Sequence, residues 1–103
     1  MNYLKDLGIS ENTINEIIEK NDEAIIPTFE YNQEKITDII NYLRYVGIKN
    51  IDQLLIYEVD LFLKDYEEIK KLIRVEDFET IYNINNDWMY IEELYWFNIK
   101  IIL

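Results

Sequence analysis

Cysteine and histidine are absent from the 103 residues, and glycine and proline are scarce. Without cysteine there is no disulfide framework and no thiolate metal site, and without histidine the commonest general base and transition-metal ligand is missing. Gly8 and Gly47 are the only glycines, so no glycine-rich phosphate-binding loop exists. Ser10 is the only serine, and it is interpreted as a helix cap because no lysine forms a recognisable catalytic pair with it. The sequence predicts a non-enzymatic protein with no cofactor and no metal.

Basic residues are also few, with 10 Lys and Arg against 21 Asp and Glu, so the formal net charge is −11. This charge opposes binding to a nucleic-acid backbone and to an anionic membrane surface. It suits a basic protein partner reached by electrostatic steering, or it simply keeps the protein soluble. No stretch approaches the ~18 apolar residues of a membrane span, and residues 1–10 do not resemble a signal peptide. We expect a cytoplasmic protein, bacterial or phage-like.

Apolar residues make up 50% of the chain and aromatic residues 15%, which is typical of a folded domain rather than a disordered chain. A chain of this length is normally one domain, and no linker or low-complexity tract divides it. We therefore predict a single domain spanning residues 1–103.

A repeat organises the chain up to residue 73, with a spacing of 39 residues at its start, a two-residue deletion after that and a variable connector before its last part. The matching pairs are NYLKDLGIS (2–10) with NYLRYVGIK (41–49), TINEIIEKNDEAII (13–26) with NIDQLLIYEVDLFL (50–63), and EKITDII (34–40) with EEIKKLI (67–73). We divide the chain into repeat 1 (2–40), repeat 2 (41–73) and a C-terminal capping segment (74–103). The predicted fold class is all-α, with short stacked helical repeats closed by an aromatic helix.

The first repeat predicts helices punctuated by polar caps. Gly8 ends a first helix in the left-handed conformation, Ser10 caps the second, and Asn21 ends it. A short turn at 22–26 is expected to point Ile25 and Ile26 inward. We expect Pro27 to stop regular structure and 27–32 to form a connector. Asn32 then caps a helix that runs to Gly47 and carries the apolar stripe Ile36, Ile39, Ile40 and Leu43.

The second repeat and the capping segment follow the same plan. Asn50 and Asp65 are predicted caps, separated by a turn that presents Leu61, Phe62 and Leu63. Another helix, or a continuation of the one before, is indicated by Val75, Phe78, Ile81 and Tyr82. Residues 83–87 are predicted to be a loop. The last helix carries Trp88, Ile91, Leu94 and Tyr95 on one face. Its tail, 97–103, fits a strand or a helix, and we favour a helix to about Asn98.

Residues 2–73 resemble the helical repeats of the mitochondrial transcription termination factor family. Leu7-Gly8-Ile9 and Val46-Gly47-Ile48 match the start of the family's unit, and each precedes a helix with apolar residues at i, i+3 and i+4. The family's turn proline has no counterpart here. The resemblance implies a stack of helical repeats and nucleic-acid binding along a basic concave face. Because the chain is strongly acidic, we carry over the repeat geometry and not the nucleic-acid binding.

The C-terminal aromatic residues are the candidate functional feature. They either cap the repeat stack or, where they lie off the core face, form an interface with an acidic rim. The candidate partner-binding residues are Met89, Tyr90, Glu92, Glu93, Trp96 and Phe97. They suit a basic protein partner or a second copy of the chain, so a homodimer is one alternative.

Two functions of different class are compatible with these features. The first is a non-catalytic acidic helical protein-interaction module. The second is an acidic inhibitor that imitates nucleic acid and occupies the basic groove of a DNA- or RNA-binding enzyme. A mimic should carry one continuous acidic face, whereas the acids here are spread over the whole chain, which favours the module. True nucleic-acid binding by the repeat is the least favoured reading.

Overall fold

The structure, a computed structural model, describes the backbone of residues 1–102 and the side chains of residues 1–97, and this part of the chain is helical without strands. The α-helices are α1 (Asn2–Asp6), α2 (Glu11–Lys20), α3 (Ile25–Tyr31), α4 (Gln33–Val46), α5 (Ile51–Tyr57), α6 (Tyr66–Leu72), α7 (Phe78–Asn86) and α8 (Tyr90–Ile102), with a 3₁₀ helix at Val59–Leu63. The all-α prediction is confirmed.

Two glycine turns have the same geometry. Gly8 and Gly47 have φ angles of +85° and +105°. Residues with a Cβ atom rarely adopt this left-handed region. After each glycine, the N–H of a buried isoleucine, Ile9 or Ile48, donates 2.9 Å back to a carbonyl of the preceding helix. The prediction that these glycines end helices is confirmed. The likeness of the two turns agrees with the sequence match, and the complete two-copy repeat stays a prediction.

Of the four predicted N-caps, one makes a side-chain hydrogen bond to its helix N-terminus and three do not. The Oγ of Ser10 accepts the N–H of Thr13 at 3.1 Å, as predicted. Asn32, Asn50 and Asp65 occupy the expected cap positions but make no side-chain bond to their helices. Both asparagines use their amide on a carbonyl elsewhere, so these cap predictions were correct in position and wrong in chemistry.

Pro27 does not stop regular structure, and the predicted connector at 27–32 was wrong. Helix α3 begins at Ile25, so Pro27 lies in its first turn. The first N–H groups of a helix have no intrahelical acceptor, and proline there forfeits no hydrogen bond. Ile25 is buried as expected, but Ile26 is 41% exposed and does not point inward.

The predicted loop at 83–87 is mostly helix. Helix α7 continues to Asn86 because Ile81 and Ile84, three residues apart, are both buried in the core. Tertiary packing therefore outweighs the turn preference of the three asparagines. Helix α8 extends to Ile102, beyond the expected end at Asn98, so the tail is helical as far as Ile102. The side chains after Phe97 and residue 103 lie outside the described part.

One apolar core joins the helices. Helix α2 packs on α5, and α4 packs on α6 and on the 3₁₀ helix. All four residues of the predicted α4 stripe are fully buried, and so are Leu54, Leu55, Leu61 and Phe62. Leu63 is half-buried.

Side-chain-to-backbone hydrogen bonds tie residues that lie 26 to 38 positions apart. Five of those among the described residues run from Tyr3 to the carbonyl of Phe29, Tyr42 to Ile73, Asn21 to Ile56, Asn50 to Ile84 and Asn85 to Gly47. We call these five bonds the cross-ties. They fix consecutive helical segments against each other.

Candidate protein-interaction surface

Helix α8 separates its residues into a core face and an outer face. Ile91 is fully buried, and Leu94 and Tyr95, three and four residues later, are half-buried on the same side. On the opposite side, Met89, Trp96 and Phe97 are 50%, 59% and 58% exposed. These three side chains do not cap the core.

The six candidate residues form one outer surface of α8 and of the turn before it. Glu92 and Glu93 are exposed between Met89 and the aromatic pair, and Tyr90 is half-buried at the edge. We call this set, Met89, Tyr90, Glu92, Glu93, Trp96 and Phe97, the α8 surface.

A hollow of about 440 Å³ lies at the corner between α7 and α8. Four residues of the α8 surface line it together with the polar end of α7; the lining residues are Asn83, Asn86, Asp87, Met89, Tyr90, Glu92 and Glu93. The Oδ1 of Asp87 accepts the N–H of Met89 at 3.0 Å, which fixes the corner. Trp96 and Phe97 lie further along α8, outside the hollow.

The surroundings of the α8 surface are acidic. From Val75 to Phe97 the chain has six acids and no Lys or Arg. The acids are Glu76, Asp77, Glu79, Asp87, Glu92 and Glu93. This segment therefore presents a negative potential to an approaching molecule.

Helix α7 exposes two further aromatic residues that the sequence reasoning did not assign to a surface. Phe78 and Tyr82 are 74% and 67% exposed, whereas Ile81 and Ile84 are buried. Both pairs have helical spacing, so periodicity alone does not say which pair faces the core. The aliphatic side chains of Ile81 and Ile84 were the sequence feature that could have identified them as the core-facing pair.

A buried carboxyl lies under the first turn of α8. Glu58, just after α5, is only 8% exposed, and its Oε1 has no hydrogen-bond partner. Burial, a hydrogen bond with Glu92 and the nearby charge of Asp60 raise the pKa of Glu58 to about 7. The same burial and acidic neighbours raise the pKa of the Tyr95 phenol. No sequence signal pointed to Glu58, because its environment comes from a helix 34 residues further on.

Aromatic and cationic contacts hold the start of α8 against the rest of the molecule. The rings of Trp88 and Tyr57 are stacked, with centroids 4.8 Å apart and an interplanar angle of 16°. The Nζ of Lys64 lies 4.8 Å from the centroid of the Tyr95 ring. The α8 surface is therefore presented on a supported helix.

Among the described residues, no cluster of three or more acidic side chains is arranged to ligate a metal ion. In this part of the chain, none of the helices has the length and apolar character that crossing a bilayer requires. No protein-family model, curated protein or solved structure matches the chain at a significant level.

Proposed function

We propose that the chain is a non-catalytic interaction module that binds a basic protein through the α8 surface. The exposure of Met89, Trp96 and Phe97 on α8 and the turn before it, within an acidic segment, carries this proposal. Exposed aromatic residues and methionine are enriched at protein interfaces, and contiguous apolar patches on soluble proteins mark interaction sites.

The two parts of the surface have different tasks. Burying a large apolar side chain contributes roughly 1.5–3 kcal/mol, so Trp96 and Phe97 supply most of the affinity. Glu92 and Glu93 select a basic partner and raise its association rate, an effect that salt weakens.

A basic partner is favoured over a second copy of the chain. Two copies would bring net charges of −11 together and place Glu92 and Glu93 near equivalent acids. Like charges in apposition disfavour a complex, whereas lysine and arginine on a partner would pair with them.

The test is affinity capture from a nuclease-treated lysate with the wild-type chain and matched variants. We expect one basic protein to be recovered in near-equal amount with wild type, and less of it with Phe97→Ala and with Trp96→Ala. The control is Phe78→Ala, which removes a phenylalanine from α7 that is more exposed than Phe97. Circular dichroism should show unchanged helix content in all three variants.

Three results would contradict the proposal. They are recovery of the bait alone, full retention of the partner by both α8 variants, and unfolding of both variants. A captured nucleic-acid enzyme that DNA displaces would instead favour the mimic that imitates nucleic acid. Sedimentation of the purified chain as a dimer would favour self-association.

A further inference from the structure

A second hollow, of about 330 Å³, lies between α4 and α6, and its lining combines tyrosines with a carboxylate. The lining residues are Asp38, Asn41, Tyr42, Tyr45 and Tyr66. We propose that this hollow is an aromatic cage that binds a quaternary ammonium group, such as that of a trimethylated lysine side chain. This site is separate from the α8 surface and does not rest on the function proposed for it.

Helical spacing brings the lining together. Asp38, Asn41, Tyr42 and Tyr45 are at positions i, i+3, i+4 and i+7 of α4, so they follow one face of that helix. Tyr66 begins α6, which packs on α4. The cage therefore has most of its wall on one 14-residue helix and the remainder on a second helix.

Two of the rings are fixed at right angles. The Tyr42 and Tyr66 centroids are 5.8 Å apart, with an interplanar angle of 83°. The Tyr42 hydroxyl donates to the carbonyl of Ile73 at 2.6 Å, and the side chain is buried. Burial also raises the pKa of the Tyr42 phenol, so the ring stays neutral. Tyr45, which also lines the hollow, is 76% exposed and therefore accessible to a ligand.

A cation already lies over one of these rings. The Nζ of Lys70 is 5.0 Å from the Tyr66 centroid and 3.3 Å from a carboxylate oxygen of Glu67. Lys70 is not among the residues that line the hollow. The Tyr66 ring thus already makes one cation–π contact, from outside the hollow.

Asp38 supplies the charge that distinguishes a cation from a neutral apolar group. Its carboxylate is exposed at the hollow and also borders a neighbouring depression lined by Tyr31 and Glu34. Lys35, which borders that depression too, is paired with Asp65 at 3.6 Å. The local charge therefore favours cations.

The chemistry favours a methylated ammonium without an attached phosphate. Aromatic faces attract cations, and recognition of quaternary ammonium groups by aromatic cages is the established use of this interaction. An unmodified lysine ammonium is strongly hydrated, so it gives up more on entering such a site. Asp38 and Glu34 would repel a phosphate carried beside the ammonium.

The test is a titration of the isotope-labelled full chain followed by amide chemical shifts, with choline as the probe. We expect saturable shifts at Asp38, Tyr45 and Tyr66. Tyr45→Ala and Asp38→Asn should each weaken binding about fivefold or more, because a cation–π contact or a paired charge is lost. Tyr82→Ala, which removes an exposed tyrosine from α7, is the control and should bind like wild type.

Three further ligands are compared with choline in the same titration. Trimethyllysine should bind at least as well as choline, and phosphocholine should bind more weakly than both. The neutral isostere 3,3-dimethyl-1-butanol should give no saturable shift at these residues. Equal binding of the neutral isostere, tighter binding of phosphocholine, or unchanged affinity in both cage variants would overturn the proposal. Partner capture through α8 should be unaffected by Tyr45→Ala, so the two proposals fail independently.

Discussion

Asn85 holds the Gly47 turn with both ends of its side-chain amide. Its Nδ2 donates to the carbonyl of Gly47 at 3.0 Å, and its Oδ1 accepts the N–H of Lys49 at 2.8 Å. The two bonds bracket the left-handed glycine and attach it to α7. One side chain thereby connects two segments that lie 36 to 38 residues apart.

Replacing Asn85 with alanine should lower the free energy of unfolding by about 1–2 kcal/mol, because two backbone groups lose their partners. Asn86→Ala is the matched control on the same helix. Asn86 is exposed, and its loss should change stability by no more than about 0.5 kcal/mol. Urea denaturation of both variants measures the difference, and equal stabilities would show that the Asn85 bonds contribute nothing.

At the scale of elements, Glu58 at the end of α5 and Glu92 of α8 bring two carboxyls together. Their proximity and the burial of Glu58 favour one protonated carboxyl, and Asp60 adds a third acid nearby. Lys64 and the phenol of Tyr95 also lie in this region. Because the pKa of Glu58 is raised to about 7, the folded protein keeps a proton that the unfolded chain loses above pH 4.5.

Stability should therefore fall as the pH rises from about 4.5 to about 7 and level off above that range. We expect Glu58 to account for about 2 kcal/mol of the loss between pH 5 and pH 8, an order-of-magnitude value. Denaturation of wild type and Glu58→Gln at several pH values measures it. The glutamine variant should lose less stability over the same range, because it has nothing to ionise.

Glu93→Gln is the control for this effect. It removes an exposed carboxylate from the first turn of α8, next to Glu92. Its pH profile should follow that of wild type. If Glu58→Gln and Glu93→Gln have the same profile, the pH dependence comes from the total charge and not from the buried pair.

Sequence patterns predicted elements well where local chemistry decides them. The glycine turns, the Ser10 cap and the α4 stripe depend on φ, on a nearby N–H and on helical spacing, which are all readable within a few residues. The helix over residues 83–86 was missed because residues distant in sequence stabilise it, whereas the helix over Pro27 was missed because proline is tolerated in a first turn. Asn85 shows the cause, since its amide bonds a turn that precedes it by 38 residues.

The sequence predicted where the candidate site lies better than it predicted which buried residues surround it. A cluster of aromatic residues in one short helix cannot be buried on all sides, which identified Met89, Trp96 and Phe97 from spacing alone. Glu58 and the right-angled rings of Tyr42 and Tyr66 depend on helix packing, which no local pattern encodes.

For the whole molecule, the dominant electrostatic feature is a net charge of −11. Among the described residues the ion pairs join mostly exposed groups, such as Lys5 with Glu11 and Lys70 with Glu67. Exposed pairs contribute little, so repulsion between the unpaired acids should outweigh them.

Added salt should therefore stabilise the chain. Raising sodium chloride from about 20 mM to about 300 mM shortens the screening length from roughly 20 Å to roughly 6 Å and should raise the melting temperature by a few degrees. Thermal unfolding at neutral pH measures this, with sorbitol at matched osmolality as the uncharged control. A lower melting temperature in salt would mean that the ion pairs prevail over repulsion.

The spacing of the cross-ties has a consequence for the order of folding. Each closes a chain segment of 26 to 38 residues, from Tyr3 with Phe29 to Asn85 with Gly47. Loops of similar length have similar closure entropies, so closing any one cross-tie costs about as much chain entropy as closing another. Successive helices can thus join their neighbours as they emerge during synthesis. The α1 helix need not wait for α8.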